Sequence, residues 1–101
     1  MATYNKLVRD KIPEILDMKG VPYEMRIASG QEFKIELIKK LHEEVAEFVA
    51  DESIEELADV LEVIAALRTL PEYVAVEEER LLKRTERGGF DARIICKGKK
   101  A

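Results

Sequence analysis

Apolar and polar positions along this chain change period several times, and each change marks an element. After the mixed opening YNKLVRDKIPE, Pro13 is tolerated in a first helical turn, predicting a short helix over 13–19 closed by Gly20. Tyr23, Met25 and Ile27 then alternate with Glu24, Arg26 and Ala28, the period of a strand. Ser29 and Glu32 have capping-box spacing and open a long helix over 30–50. Its apolar stripe is Phe33, Leu37, Leu41, Val45 and Phe48. Asp51-Glu52-Ser53 connects to a third helix ending near Arg68, with Ser53 and Glu56 again at capping-box spacing. Ile54, Leu57, Val60, Leu61, Ile64 and Leu67 define its apolar side. Pro71 starts a fourth helix that stops before Gly88-Gly89. Phe90, Ala92, Ile94 and Cys96 alternate as a second strand, able to pair with the first, before a frayed tail, KGKKA.

The predicted fold is therefore mainly α: an antiparallel helical bundle around an acidic helical hairpin, with a small two-stranded β-ribbon packed on it. At 101 residues one domain, 1–101, is expected. A hairpin with short flanks leaves apolar surface uncovered, including Val74, Leu81 and Leu82 on the fourth helix. A homodimer or higher homo-oligomer is therefore expected.

The hairpin carries unusual charge. Eight acidic residues lie between His42 and Asp59. Helical residues advance about 100° each, so Glu44 falls inside the apolar arc of the second helix and Glu47 at its edge. On the third helix Glu56 falls inside and Asp59 at the edge. The connector makes the helices antiparallel neighbours and places Glu47 opposite Glu56, and Glu44 opposite Asp59. Four carboxylates this close cannot all remain ionised and unpaired. A divalent cation resolves the conflict, and oxygen-only ligands favour magnesium, manganese or calcium over zinc. A di-iron site needs Glu-x-x-His pairs, and His42, the only histidine, has no glutamate three residues before it. The local alternatives are a solvated acidic face and, for Glu56, simple helix capping.

Composition narrows the chemistry. A net charge of −4 gives no bulk support for nucleic-acid binding. The single Cys96 excludes an intrachain disulfide and a cysteine-rich zinc site. No apolar run approaches about 18 residues, so no membrane span is expected. The first residues lack the apolar core of a signal peptide, and the cytoplasm is the expected compartment.

Glu43-Glu44-x-x-Glu47 followed by Glu56-x-x-Asp59 resembles the paired acidic motif of the all-alpha nucleoside triphosphate pyrophosphatases. These include the MazG-like proteins, dimeric dUTPases and phosphoribosyl-ATP pyrophosphohydrolase. YNKLVRDKIPE and ERGGFDARI look like the ends of a compact house-cleaning branch of that superfamily. The gap between Glu47 and Glu56 is shorter than in many MazG-like members, which implies a nucleotide pocket that is narrowed or shared with a second subunit.

The resemblance implies magnesium-dependent hydrolysis of a nucleoside triphosphate between the α- and β-phosphates, releasing a monophosphate and pyrophosphate. It implies Mg2+, or Mn2+, held by Glu44, Glu47, Glu56 and Asp59, with Glu43 orienting water or supporting a ligand. Arg9, Lys83 and Arg87 become phosphate-contact candidates, although the last two equally compensate a helix C-terminus and Arg9 suits an ordinary surface. A phosphoribosyl-ATP pyrophosphohydrolase activity and a non-catalytic helical interaction module are the competing expectations.

Overall fold

The computed structural model describes residues 4–99; Lys100 and Ala101 of the predicted frayed tail lie outside them. Four α-helices follow in order: α1 (Ile12–Met18), α2 (Gly30–Asp51), α3 (Ile54–Leu67) and α4 (Val76–Arg87). A 3-10 turn, Pro71–Tyr73, separates α3 from α4. The fourth helix thus begins five residues later than Pro71, because the proline opens that turn instead.

Two serines set the hairpin. Ser29 Oγ accepts the Glu32 N–H at 3.3 Å, and Ser53 Oγ accepts the Glu56 N–H at 3.2 Å. Each satisfies an otherwise orphaned donor and contributes about 1 kcal/mol. Between the helices Glu52 turns the chain in the left-handed region, with φ 55°. Its N–H donates to Phe48 O at 2.6 Å and closes α2. Glu52 and Ser53 alone join the helices, a link too short for anything but antiparallel packing.

α2 and α3 pack along their length, and no other pair of helices makes comparable contact among the described residues. Leu37, Val63 and Leu70 form the buried cluster, flanked by Leu7, Phe33, Leu41, Ala66, Leu67 and Tyr73. Fully burying side chains of this kind contributes about 1.5–3 kcal/mol each. Lys34 holds the 3-10 turn against α2: its Nζ lies 3.2 Å from Glu72 and 5.4 Å from the Tyr73 ring centroid.

Two expectations are corrected. Neither 23–27 nor 90–96 forms a strand, and no sheet exists among the described residues. The Arg93 N–H donates to Phe90 O at 3.2 Å and Arg93 has φ 60°, so a turn interrupts the second alternating segment. In the first segment Arg26 forks onto Glu32 of α2. Ile27, Phe90, Ile94 and Ile95 remain in solvent, without the helical face a ribbon would need. The broad apolar sides of α2 and α3 also split: Val45, Ile54, Leu57 and Leu61 are exposed, while Leu37, Val60 and Val63 are buried.

Candidate metal centre

The buried faces of α2 and α3 carry their acids with them. Oxygens of Glu44, Glu56 and Asp59 all lie within 4.8 Å of one another. Glu44 is buried, and Glu56 and Asp59 are half-buried. Glu56 donates its backbone N–H to the capping Ser53 Oγ in the first turn of α3 while its carboxylate joins the cluster. Capping and clustering are therefore compatible at this residue.

Oε2 of Glu44 and Oε2 of Glu56 are buried without a hydrogen-bond partner. Such oxygens normally find a donor, and leaving one unmatched costs about 1–3 kcal/mol. Burial pushes the Glu44 pKa up; the adjacent Glu47 carboxyl pushes it further, Lys40 opposes this, and Asp59 adds to the rise. Glu47 itself is exposed and stands outside the three-oxygen cluster, beside Glu44. The four acids named from spacing thus separate into three that converge and one at the rim.

The N-terminal segment lies over the acidic side of the hairpin. Arg9 Nη2 donates to Asp59 Oδ1 at 2.7 Å, and Lys6 Nζ donates to Glu43 Oε1 at 2.7 Å. The Lys6 contact holds the Glu43 carboxyl below its usual pKa and raises that of Lys6. Lys40 reaches both Glu43, at 3.7 Å, and Glu44, at 3.5 Å. Glu43 is therefore not a member of the cluster but the anchor of two lysines beside it.

A cleft of about 570 Å³ opens along this face. Arg9, Asp10, Lys11, Lys40, Glu44, Asp59 and Glu62 supply its charge; Leu7, Phe33, Leu37 and Val63 supply an apolar wall. Its size suits a small molecule. Lys40 and Glu62 were not singled out from the sequence. Lys40 precedes Glu44 by one helical turn and Glu62 follows Asp59 at i+3, so the same-face rule was the available signal. Lys83 and Arg87 are exposed on α4 and line no part of the cleft. Arg84, between them, turns back instead, 3.2 Å from Asp91 and close over Gly89.

Comparison with models of protein families, with curated proteins and with solved structures yields no match.

Proposed function

We propose that this chain is a magnesium-dependent nucleoside triphosphate pyrophosphohydrolase, releasing a nucleoside monophosphate and pyrophosphate, and that it clears non-standard nucleotides in the cytoplasm. The observation that carries the reading is the convergence of Glu44, Glu56 and Asp59 with two buried, unpartnered carboxylate oxygens among them. Three acidic groups with no nitrogen or sulfur ligand fit a hard dication, and the orphaned oxygens are the lone pairs such an ion would use.

Glu44, Glu56 and Asp59 would hold the ion, and Glu47 stands beside them at the rim. When bound, magnesium supplies Lewis-acid polarisation of phosphate oxygens and a more acidic water. The remaining work falls to the chain. Arg9 presents a planar fork suited to bidentate phosphate recognition and needs only to leave Asp59 to offer it. Lys40 offsets negative charge from inside the cleft, and Lys6 pairs with Glu43 beside the acid cluster. Phe33, Leu37 and Val63 exclude water from one wall and offer an apolar surface to a base. Phosphoryl transfer needs this combination of positioning and charge neutralisation more than a covalent nucleophile. Lys83 and Arg87, remote from the cleft, are not assigned a role in it.

The test is pyrophosphate release from a panel of standard, deoxy and damaged nucleoside triphosphates and phosphoribosyl-ATP, with and without magnesium. Release that requires magnesium and disappears in Asp59→Asn is the expected result. Folded, metal-loaded protein that turns over no member of the panel would overturn the proposal.

A further inference from the structure

The cleft has a direction. On α2 it is lined by Phe33, Leu37, Lys40 and Glu44, which follow one another at helical steps of three and four and form one stripe. On α3 the matching stripe is Asp59, Glu62, Val63 and Ala66. The helices are antiparallel, so Glu44 meets Asp59 at one end while Leu37 packs with Val63 and Leu70 towards the other. At about 1.5 Å per helical residue, Glu44 and Phe33 stand roughly 16 Å apart along α2. One end of the cleft is thus acidic and the other apolar.

Between these ends each helix contributes one charge to the cleft, Lys40 from α2 and Glu62 from α3. Lys40 is engaged, reaching back to Glu43 and Glu44. Glu62 is not. It has no ion pair among the described residues, and its own helix offers none, because Ile54–Leu67 contains no lysine or arginine. Glu36, Glu43 and Glu77, by contrast, each pair with a basic residue three positions away on their own helix. Glu62 therefore brings an uncommitted carboxylate to the cleft, one turn of α3 beyond Asp59 on the way to Ala66.

An ionised carboxylate only accepts hydrogen bonds, and it has two oxygens with which to do so. Its complement in a ligand is a pair of neighbouring donors. The covalent order of a nucleotide is phosphate, sugar, base. The order along the cleft is acid cluster, Glu62, apolar wall. With the phosphates drawn to the ion at Asp59 and the base laid against Phe33 and Ala66, the sugar falls beside Glu62. A ribose presents two adjacent hydroxyls there, and a deoxyribose presents one. Acidic side chains accept from ribose hydroxyls in dinucleotide-binding sites for the same reason.

We infer that Glu62 reads the sugar, accepting hydrogen bonds from the paired hydroxyls of a ribose, so that the cleft takes ribonucleotides in preference to deoxyribonucleotides. The inference rests on the nucleotide reading of this cleft and adds the sugar to it. Charge sharpens the choice, because a carboxylate this close to a phosphate chain repels it and donors on the sugar offset that repulsion. A sugar lacking one hydroxyl offsets less. Glu62 is exposed, so water replaces a missing donor in part, and the discrimination is about tenfold rather than the far larger ratio of a sealed site.

The test measures binding rather than turnover. Non-hydrolysable α,β-imido nucleoside triphosphates, as ribose and deoxyribose pairs carrying each standard base, are titrated with magnesium into the full chain and into Glu62→Ala. The expected result is a ribose preference of about tenfold in the parent that falls to about twofold or less in the variant. The magnesium-induced thermal shift should be the same in both proteins, since Glu62 is not among the three converging acids. Equal binding of both sugars by the parent, or a ribose preference that survives Glu62→Ala, overturns the inference and leaves the nucleotide reading standing. A parent that binds none of the analogues overturns both. Ribose-selective binding that depends on Glu62, in a protein that releases no pyrophosphate, supports the inference and removes the hydrolase reading alone.

Discussion

Arg9 and Asp59, fifty positions apart in the chain, meet through a 2.7 Å hydrogen bond between guanidinium and carboxylate. The pair joins the N-terminal segment to the acid cluster, so one cation stands at the mouth of the site. Both side chains are about half exposed, and such a pair adds at most about 1 kcal/mol to stability. Its importance is therefore positional. Arg9→Ala is expected to shift the melting temperature little while lowering kcat/KM for a triphosphate about 10–100-fold, chiefly through KM. Arg9→Lys should recover only part. Steady-state pyrophosphate release beside a thermal melt checks this; a destabilised protein with unchanged kinetics would make Arg9 a strut.

The raised pKa of Glu44 gives the metal-free protein one contribution to pH dependence. Its sign is opposite to that of Glu32, Glu43, Glu72 and Glu77, all held below the usual carboxylate value. The Glu44 carboxyl holds a proton more tightly in the folded than in the unfolded chain. Its contribution to stability is therefore greatest below the ordinary value of 4.5 and falls as pH rises through the folded-state pKa. Glu44→Gln keeps the shape and removes the charge. At pH 7 without metal it should be more stable by about 1 kcal/mol, a gain of several degrees. In paired melting curves from pH 4 to 8 the advantage of the variant over the parent should grow as pH rises.

Metal should act in the opposite direction at the same oxygens. At a free magnesium concentration about 100 times its dissociation constant, stability should rise by about 2.7 kcal/mol, and chelation should reverse it. Asp59→Asn and Glu56→Gln should remove most of this response while leaving the helical circular dichroism intact. Equal magnesium stabilisation of parent and variants would show that the ion binds elsewhere.

The turn that aligns the two acidic helices offers a pair of opposed substitutions. Glu52 occupies the left-handed region, where glycine is at ease, so Glu52→Gly should stabilise by about 0.5–1 kcal/mol. Ser53→Ala removes the acceptor for the Glu56 N–H and should cost about 1 kcal/mol. Urea midpoints at unchanged slope would report both effects.

Local chemistry made much of the molecule legible from its residues alone. The two serine caps, the glycine stop after α1 and the bounds of α2 and α3 depend on neighbours within four positions, and the structure agrees with them. The convergence of Glu44, Glu56 and Asp59 was readable in part, because a short connector makes the two helices antiparallel neighbours, whereas the expected facing of Glu47 and Glu56 is not found. Tertiary structure decided the rest. It sent Glu47 to the rim, brought Arg9 across fifty residues to Asp59, and left Lys83 and Arg87 away from the cleft. It also buried one apolar face of each hairpin helix while exposing the other, and withheld the ribbon that two alternating segments suggested. Periodicity specifies which side chains share a face; which face finds a partner depends on segments far away in the chain, and no local spacing encodes that choice.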